Sequence, residues 1–379
     1  MNPDTPAGKE EIPGEPRHYR PLLDASIAGT LGTAVRLVAK DPGLALAGAR
    51  ILAWQKKAAL LRGMAEKDGL LVPPAIFVSV TAECNLSCRG CYMRGLRAAP
   101  AHNMSDDRLT TLVCEAAELG VSILVFAGGE PLLRRTEILS LARMYPHILF
   151  AVFTNGLLIN DTVAREMRGT KNLVPMISVE GFREETDARR GTGVYDQLRE
   201  SFACLKKNGV FFGCSVTVTC ANAGLVTSDR FVREMTGAGA RAVVFVAYVP
   251  VEPGTGHLVL DSGTQRMVNE RCAELSRNYP ALFIGFPGDE EAYGGCLAAG
   301  RGFVHISASG DLEACPAAPF SDRNVTGVSL REALGSPLLV RIRANPLILT
   351  ETGGGCALLK NRDRLRDLAG QDPAGERSG

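Results

Sequence analysis

The stretch ECNLSCRGCY, residues 83–92, follows directly on the apolar run AIFVSVT, residues 75–81, and contains Cys84, Cys88 and Cys91. Because the run is rich in β-branched residues, it predicts a strand that ends just before the three thiols. The chain has 11 cysteines, an odd number, and its first residues are polar and proline-rich, unlike a secretion signal. These features favour a reducing compartment and metal-binding thiolates over a disulfide framework.

The composition is ordinary for a soluble globular enzyme, with 46% hydrophobic and 22% charged residues. A length of 379 residues accommodates one large domain and a smaller one. The net charge of +1 gives no overall attraction to nucleic acid, so we expect no nucleic-acid partner. No apolar run reaches the roughly 18 residues that a membrane span needs, and we predict a cytoplasmic protein.

Short β-branched runs alternate with helical stretches from Pro74 onward. Near-continuous apolar strands separated by helices predict parallel βα units, and six repeats indicate an α/β fold with a (β/α)6 TIM-like barrel, complete or partial, over residues 74–285. Active sites of such barrels lie at the carboxyl ends of the strands. The cysteine stretch follows the first run, and GGEP, TNG and VEG follow the next three. We predict the strands at 75–81, 122–127, 148–153, 174–179, 212–219 and 242–248.

The segments outside the barrel have distinct compositions. Residues 1–22 contain five prolines and, with 369–379, are predicted to be disordered. Residues 23–73 form a helical N-terminal arm; within 26–67, seven basic and two acidic residues give 7 − 2 = +5. An arm packed on the catalytic domain is the favoured interpretation. Peripheral contact with the inner membrane surface, with a lipid substrate, is the alternative.

A small appended domain is predicted over residues 286–368, with a hairpin that turns at Ser309-Gly310-Asp311. Cys296, Cys315 and Cys356 lie in its glycine-rich loops, which favours ligands over core thiols. Five other cysteines fall within or beside predicted helices and strands, and we interpret them as structural: Cys114, Cys204, Cys214, Cys220 and Cys272.

Two metal sites compete for the first three cysteines. A structural zinc site needs a fourth ligand, but the nearest histidine, His102, lies 11 residues beyond Cys91, and no second cysteine pair follows at zinc-ribbon spacing. Three thiolates on one loop suit three irons of a cubane cluster instead. The fourth iron is then left for a ligand that the protein does not supply.

Together with Gly128-Gly129-Glu130-Pro131 after the second strand, the Cys84-x3-Cys88-x2-Cys91 pattern resembles the radical SAM superfamily. The resemblance implies a 4Fe–4S cluster whose free iron binds S-adenosylmethionine, and an electron that splits this cofactor into methionine and a 5′-deoxyadenosyl radical. Glu130 is then expected to accept from the methionine ammonium group, and the two glycines to let the backbone approach the cofactor. Pro131 fixes the turn.

Further cofactor contacts are expected from the same resemblance. Arg190 matches an arginine that reaches the cofactor carboxylate in relatives with an appended cluster domain, and Arg189 is an equal candidate by charge. Many members carry an aromatic residue before the third cysteine; Gly90 stands there in this chain, and Tyr92 is the candidate instead. The remaining expected contacts are Thr154, Asn155, Ser178, Glu180 and Asn222.

The second cysteine group, with Gly310 before x4 and Cys315, resembles the first half of the SPASM pattern. Because the dense cysteine group of the full pattern is missing, it is similar to the reduced, twitch-type domain. The resemblance implies one auxiliary 4Fe–4S cluster on Cys296, Cys315 and Cys356, with Asp289, Glu290 or the substrate as the remaining ligand. It also implies an external electron donor such as a flavodoxin or ferredoxin, and a peptide, small-molecule or lipid substrate. A non-catalytic iron–sulfur electron carrier is the rival of a different class.

Overall fold

A computed structural model of the protein describes residues 19–96, 102–288, 290–350 and 356–370. Most of the predicted disordered tail, 369–379, and of the predicted N-terminal disorder lie outside these residues, as does Asp289; Ala369 is the last residue of a helix, so disorder does not begin at residue 369. The helix α1 begins at Tyr19, inside the segment 1–22 that we predict to be disordered.

A single nine-stranded sheet organises the molecule, in the order β7-β6-β5-β4-β3-β2-β1-β8-β9. All neighbours are parallel except β8 and β9. The two outer strands do not pair with each other, so the sheet is an open, partial barrel, which confirms the predicted α/β class. The strands are β1 (Ala75–Thr81), β2 (Ile123–Gly128), β3 (Leu149–Thr154), β4 (Leu173–Val179), β5 (Gly213–Val218), β6 (Ala242–Ala247), β7 (Leu282–Phe286), β8 (Phe303–Ile306) and β9 (Leu312–Glu313).

Helices cover the outer face of the sheet, and further helices precede β1 and follow β9. Alternate strand residues such as Phe126, Phe150 and Phe245 are buried against this layer. The helices are α1 (Tyr19–Leu37), α2 (Pro42–Lys67), α3 (Tyr92–Leu96), α4 (Asp106–Glu118), α5 (Arg135–Met144), α6 (Asp161–Arg168), α7 (Arg183–Arg190), α8 (Val194–Lys207), α9 (Ala223–Val226), α10 (Asp229–Ala238), α11 (Ser262–Asn278), α12 (Leu330–Leu334), α13 (Pro337–Arg343), α14 (Pro346–Leu349), α15 (Ala357–Lys360) and α16 (Arg362–Ala369).

The N-terminal arm is a helical hairpin that packs on the entry ends of the strands. Asp41 caps α2 by accepting from the backbone N–H groups of Gly43 and Leu44 at 3.1 and 3.0 Å, so the predicted break between the helices is present. The Trp54 indole donates to the carbonyl of Val121, just before β2, at 3.1 Å. None of the helices in the described residues is long and apolar enough to cross a membrane.

The C-terminal region continues the sheet, although the sequence suggested a separate small domain. The strand β8 pairs in parallel with β1, and β9 returns antiparallel to β8, which confirms the predicted hairpin. The strand β7 was not predicted, because LFIGF is short and contains a glycine. Seven parallel strands therefore precede the hairpin, where we predicted six.

Candidate functional site

The three cysteines of the first group lie on the loop that leaves β1 and ends at α3. All eleven cysteines of the chain are free thiols. Burial raises the pKa of the Cys84 thiol, and the nearby charges of Glu130, Cys88 and Cys91 raise it further. The three thiols are therefore close enough to repel one another as thiolates. Such a group binds metal with release of protons, and a cation placed among the sulfurs relieves the repulsion.

The GGEP loop after β2 is hydrogen-bonded to the chain that leads into the cysteine loop. The backbone N–H of Gly129 donates to the Thr81 carbonyl, and that of Glu130 to the Glu83 carbonyl, both at 2.7 Å. A Cβ on Gly129 would lie 1.9 Å from the Glu83 oxygen, and one on Gly128 would lie 2.3 Å from the Thr81 oxygen. Both glycines are thus required by the contact between the two loops, whereas we expected the cofactor to require them.

The Glu130 carboxylate is fully buried. It accepts hydrogen bonds from the Thr154 hydroxyl at 2.6 Å, the Asn155 N–H at 2.8 Å and the Leu132 N–H at 3.0 Å. Burial raises the pKa of this carboxyl, although the three donors oppose the change. Pro131 follows as the first residue of a 3₁₀ turn. Glu130 therefore ties the loop to the end of β3, and the contact between its side chain and the ammonium group stays a prediction.

Asn155 connects the end of β3 with the cysteine loop. Its side-chain amide donates to the Asn85 side-chain oxygen at 2.7 Å and lies 3.9 Å from the Cys84 sulfur. The hydroxyl of Thr154 is occupied by Glu130 and by the N–H of Gly156, at 3.0 Å. Of these two predicted residues, Asn155 contacts the cysteine loop with its side chain. The Thr154 hydroxyl instead bonds to Glu130 and to the backbone of its own turn.

Glu180, after β4, gathers two arginines beside Cys88. The Arg190 Nε donates to Glu180 at 3.0 Å, and an Arg189 guanidinium nitrogen lies 2.8 Å from the other Glu180 oxygen. Arg189 also anchors the cysteine loop, because its Nε donates to the Arg89 carbonyl at 3.1 Å. Burial raises the pKa of the Cys88 thiol, and Arg190 and Arg189 lower it. Two cations and one buried carboxylate thus leave a positive field next to Cys88.

Two further predicted contacts line the upper end of the barrel. The Asn222 amide donates to the carbonyls of Glu180 and Thr217, each at 3.0 Å, while its oxygen accepts from the Thr219 N–H at 2.7 Å. All of its polar atoms therefore hold the end of β5 in place. Ser178 is half-buried on β4. Their contact with a nucleoside stays a prediction.

An aromatic ring that the sequence did not indicate lies against Gly90, the residue before Cys91. Gly90 has a φ of +65°, and a Cβ there would lie 3.2 Å from the ring of Tyr248, just after β6. The Gly90 N–H donates to the Glu252 carboxylate at 2.6 Å. Tyr92 begins α3. The buried Tyr248 ring therefore packs with its edge on Gly90, in the loop where the family more often has an aromatic residue.

The second cysteine group converges around a buried acid. Cys296 and Cys315 are buried, and Cys356 is half-buried at the start of α15. Burial raises the pKa of Cys296 well above its usual range, and the charges of Glu290, Cys315 and Cys356 raise it further. Glu290 is itself 5% exposed. The fold thus brings together the three predicted cysteines and one of the two predicted acids.

A buried line of polar side chains runs across the sheet from β1 through β8 to β9. The His305 Nε2 lies 2.8 Å from the Ser79 hydroxyl of β1, and its Nδ1 lies 2.6 Å from the Glu313 carboxylate of β9. Glu313 comes two residues before Cys315. Sequence reasoning missed this line; a lone histidine within the apolar run FVHI was the available signal.

The positions of most of the other five cysteines are those expected for a structural role. Cys214 is fully buried in β5, which raises the pKa of its thiol to about 12, and Cys272 is buried in α11. Cys114 and Cys204 are half-buried. Cys220 is exposed, outside the core, and its thiol donates to the Val259 carbonyl at 2.9 Å; its structural role stays a prediction.

The donor geometry can be compared with the two metal sites considered above. Among the described residues, no three His, Cys, Asp or Glu side chains converge on a point that could hold a single metal ion. A tetrahedral zinc site requires such convergence, whereas a cubane spreads its cysteines over different iron atoms. Free thiols that act on one another electrostatically, with arginines beside them, fit the cubane cluster.

Comparisons with known proteins agree with this fit. Residues 78–239 match the family described as the Radical SAM superfamily. An AdoMet-dependent heme synthase of Methanosarcina barkeri is 25% identical over 316 residues, which cover 76% of this chain and 89% of the relative.

Two solved structures share the fold. Streptococcus suis SuiB bound to its precursor peptide SuiA has a TM-score of 0.61 and 18% identity, covering 78% of this chain and 71% of SuiB. The anSMEcpe protein with bound AdoMet has a TM-score of 0.57 and 16% identity, covering 78% of this chain and 99% of that one. With the cysteine loop joined to the GGEP loop and the match over 78–239, the chain carries a radical SAM domain and is an enzyme that uses a 4Fe–4S cluster and S-adenosylmethionine.

Proposed function

We propose that the protein cleaves S-adenosylmethionine reductively and uses the resulting 5′-deoxyadenosyl radical to abstract hydrogen from a substrate, with help from one auxiliary cluster. The observation that carries the proposal is the pair of 2.7 Å hydrogen bonds by which Gly129 and Glu130 attach to Thr81 and Glu83. They hold the cofactor-binding loop directly beside the three thiols. An electron carrier would have no use for that juxtaposition.

Different residues have different roles at the first site. Cys84, Cys88 and Cys91 would hold three irons, and the bound cluster supplies the electron that breaks the sulfonium bond. The half-buried guanidinium groups of Arg189 and Arg190 provide positive charge beside Cys88, which suits both the anionic cluster and the cofactor carboxylate. Backbone carbonyls of the GGEP loop and the Glu130 carboxylate are the candidate acceptors for the ammonium group, since the three donors to Glu130 leave one of its roughly four acceptor sites.

The auxiliary site would be built from Cys296, Cys315 and Cys356, with Glu290 on the fourth iron. Glu290 supports this role because it is buried and its charge acts on Cys296. The buried Arg301 guanidinium donates to the Gly295 carbonyl at 3.0 Å and the Cys296 carbonyl at 2.6 Å, which holds the first ligand loop in place. A carboxylate ligand would leave the substrate no open iron at this cluster.

Two of the similar proteins suggest a class of substrate. The heme synthase resembles this chain over most of both lengths, so an iron porphyrin is one candidate substrate. SuiB binds a peptide but shares only the fold. An external flavodoxin or ferredoxin would supply the electron.

Anaerobic reconstitution tests the proposal. We expect cluster-replete protein with dithionite and S-adenosylmethionine to release 5′-deoxyadenosine, and a Cys84/Cys88/Cys91 triple alanine variant to release none. That variant should keep about half of the iron, in the auxiliary cubane. The matched Cys296/Cys315/Cys356 triple alanine variant should also keep about half, and it should retain a cofactor-dependent change in the cluster's electron paramagnetic resonance spectrum. Replete wild-type protein that exchanges electrons but makes no 5′-deoxyadenosine would refute the proposal.

A further inference from the structure

An apolar cavity of ≈ 390 Å³ lies between the N-terminal helices and the sheet. The helices contribute side chains such as Ile27, Leu31 and Val38, and the strands contribute apolar residues at alternate positions. Its volume falls in the range of roughly 300–1,000 Å³ that small-molecule sites occupy. Because protein interiors are close-packed, an apolar space of this size that the side chains leave unfilled is a candidate ligand site.

The cavity leads toward the first cysteine group. On β3 it is lined by Leu149, Ala151 and Phe153, and four residues of a strand rise about 13 Å. Phe153 is two residues before Asn155, whose amide nitrogen is 3.9 Å from the Cys84 sulfur. The upper end of the cavity therefore lies directly below the cysteine loop.

A second cavity, of ≈ 290 Å³, adjoins the first at the entry ends of the strands. Its lining includes Arg50, Arg143 and Lys171 and no acidic residue, and Lys171 lines both cavities. In the described part of the chain, neither Arg50 nor Lys171 has an ion-pair partner. Arg143 donates from its Nε to the Thr170 hydroxyl at 3.1 Å. Three cations in a lining without an acidic residue make this rim pocket suited to an anionic group.

The rim pocket opens onto an unusual face of α2. Leu46, Leu60 and Met64 are 64%, 72% and 62% exposed, and they recur at helical spacing with Arg50 and Lys57 between them. Exposed large apolar side chains interleaved with basic ones are typical of helices that lie on a lipid surface. Leu46 and Arg50 also line the rim pocket, so its mouth is on this face.

We propose that the two cavities form one site for an anionic lipid, which places a phosphate head in the rim pocket and an apolar chain in the barrel. The inference rests on the proposed function and names its substrate class. Arg50, Arg143 and Lys171 bind the head, and the chain rises past Ala151 to Phe153. Its far end then lies where hydrogen is abstracted.

Binding can be measured without any chemistry. Reconstituted full-length protein is titrated with dodecyl phosphate, dodecanol and inorganic phosphate by isothermal calorimetry, without reductant. We expect dodecyl phosphate to bind with one-to-one stoichiometry, and each of the other two probes to bind at least about tenfold more weakly, because each lacks one half of the ligand. Equal affinity of dodecanol would show that the rim pocket has no role. Equal affinity of inorganic phosphate would show that the barrel cavity has none. Either result overturns the proposal.

Two variants address the halves separately. Arg50→Ala with Lys171→Ala should weaken dodecyl phosphate binding by about tenfold or more, while Arg266→Ala, an exposed arginine on α11, should leave it unchanged. Ala151→Phe fills the barrel cavity and should shorten the longest alkyl chain that binds. If both variants bind all probes as the wild type does, the site is elsewhere.

The outcome is separable from the proposed function. Wild-type protein that makes 5′-deoxyadenosine with dithionite but binds no dodecyl phosphate would overturn the lipid site alone. Tight binding of an iron porphyrin in place of dodecyl phosphate would do the same. Conversely, lipid binding by protein that never cleaves S-adenosylmethionine would refute the proposed function and show that the cavities bind lipid for another purpose.

Discussion

The ring of Tyr248 lies against Gly90, with ring atoms 3.2 Å from the point where a Gly90 Cβ would stand. The two residues are brought together by the pairing of β6 far along the sheet, and the Tyr248 hydroxyl donates to Thr255 at 3.1 Å. An aromatic ring is thus held against the residue before Cys91, although none precedes Cys91 in the sequence. Tyr248 is 5% exposed, and the contact of its ring with the adenine of the cofactor is a prediction.

Replacing Tyr248 with leucine should weaken binding of S-adenosylmethionine by roughly 0.5–1.5 kcal/mol, the usual contribution of an aromatic contact. Tyr248→Phe keeps the ring and loses only the hydrogen bond to Thr255, so it should bind nearly as the wild type does. Anaerobic equilibrium dialysis of cluster-replete protein measures both. Unchanged affinity in the leucine variant would mean that Tyr248 only packs the loop.

The sequence predicts local features well and long-range contacts poorly, as two cases show. The bounds of β1 are those predicted, residues 75–81, because its β-branched run is bordered by prolines before it and the polar cysteine loop after it. Tyr248 and His305 reach Gly90 and Ser79 from 158 and 226 residues away, and nothing local signals either contact. Glu130 was correctly placed in the loop, but the direction of its carboxylate depends on β3.

A second prediction concerns that carboxylate. Glu130→Gln leaves one acceptor oxygen for three buried donors and places an amide where an acceptor was. The free energy of unfolding should therefore fall by about 1–3 kcal/mol. Because the loop is no longer tied to β3, cofactor affinity should fall too. Urea unfolding followed by circular dichroism, with Glu184→Gln on the exposed start of α7 as control, measures the first effect. Equal stability of both variants would contradict the prediction.

His147 should make stability depend on pH. Burial lowers the pKa of its imidazole, and the charges of Lys57 and Arg50 lower it further; its ring is 4.4 Å from that of Trp54. The unfolded chain, with a histidine pKa of about 6.5, therefore takes up the proton more readily than the folded one. Stability is complete above this pH and falls as the pH decreases through 6.5 toward the folded-state pKa.

His147→Gln removes the titrating group and should flatten that slope. Anaerobic urea unfolding at a series of pH values between about 5.5 and 7.5 measures it, with the exposed His102→Gln as a matched control. If the wild type and His147→Gln lose stability in parallel on acidification, the imidazole is not responsible.

Gly129 provides the sharpest test of the contact between the two loops. A Cβ at this position would lie 1.9 Å from the Glu83 oxygen and 2.4 Å from its carbonyl carbon. Neither backbone atom can rotate away as a side chain could, so Gly129→Ala must separate the GGEP loop from the chain that leads into Cys84. We expect a loss of about 3 kcal/mol in the free energy of unfolding.

The same substitution should empty the first cluster site selectively. Iron should fall to about half, as in the Cys84/Cys88/Cys91 variant, because the auxiliary cysteines lie on other loops. Gly237→Ala is the matched control: no atom lies within 4 Å of its added Cβ in α10, so it should stabilise the helix by about 0.5–1 kcal/mol and keep all of the iron. A Gly129→Ala protein with full iron and full cofactor binding would show that the two loops need not touch.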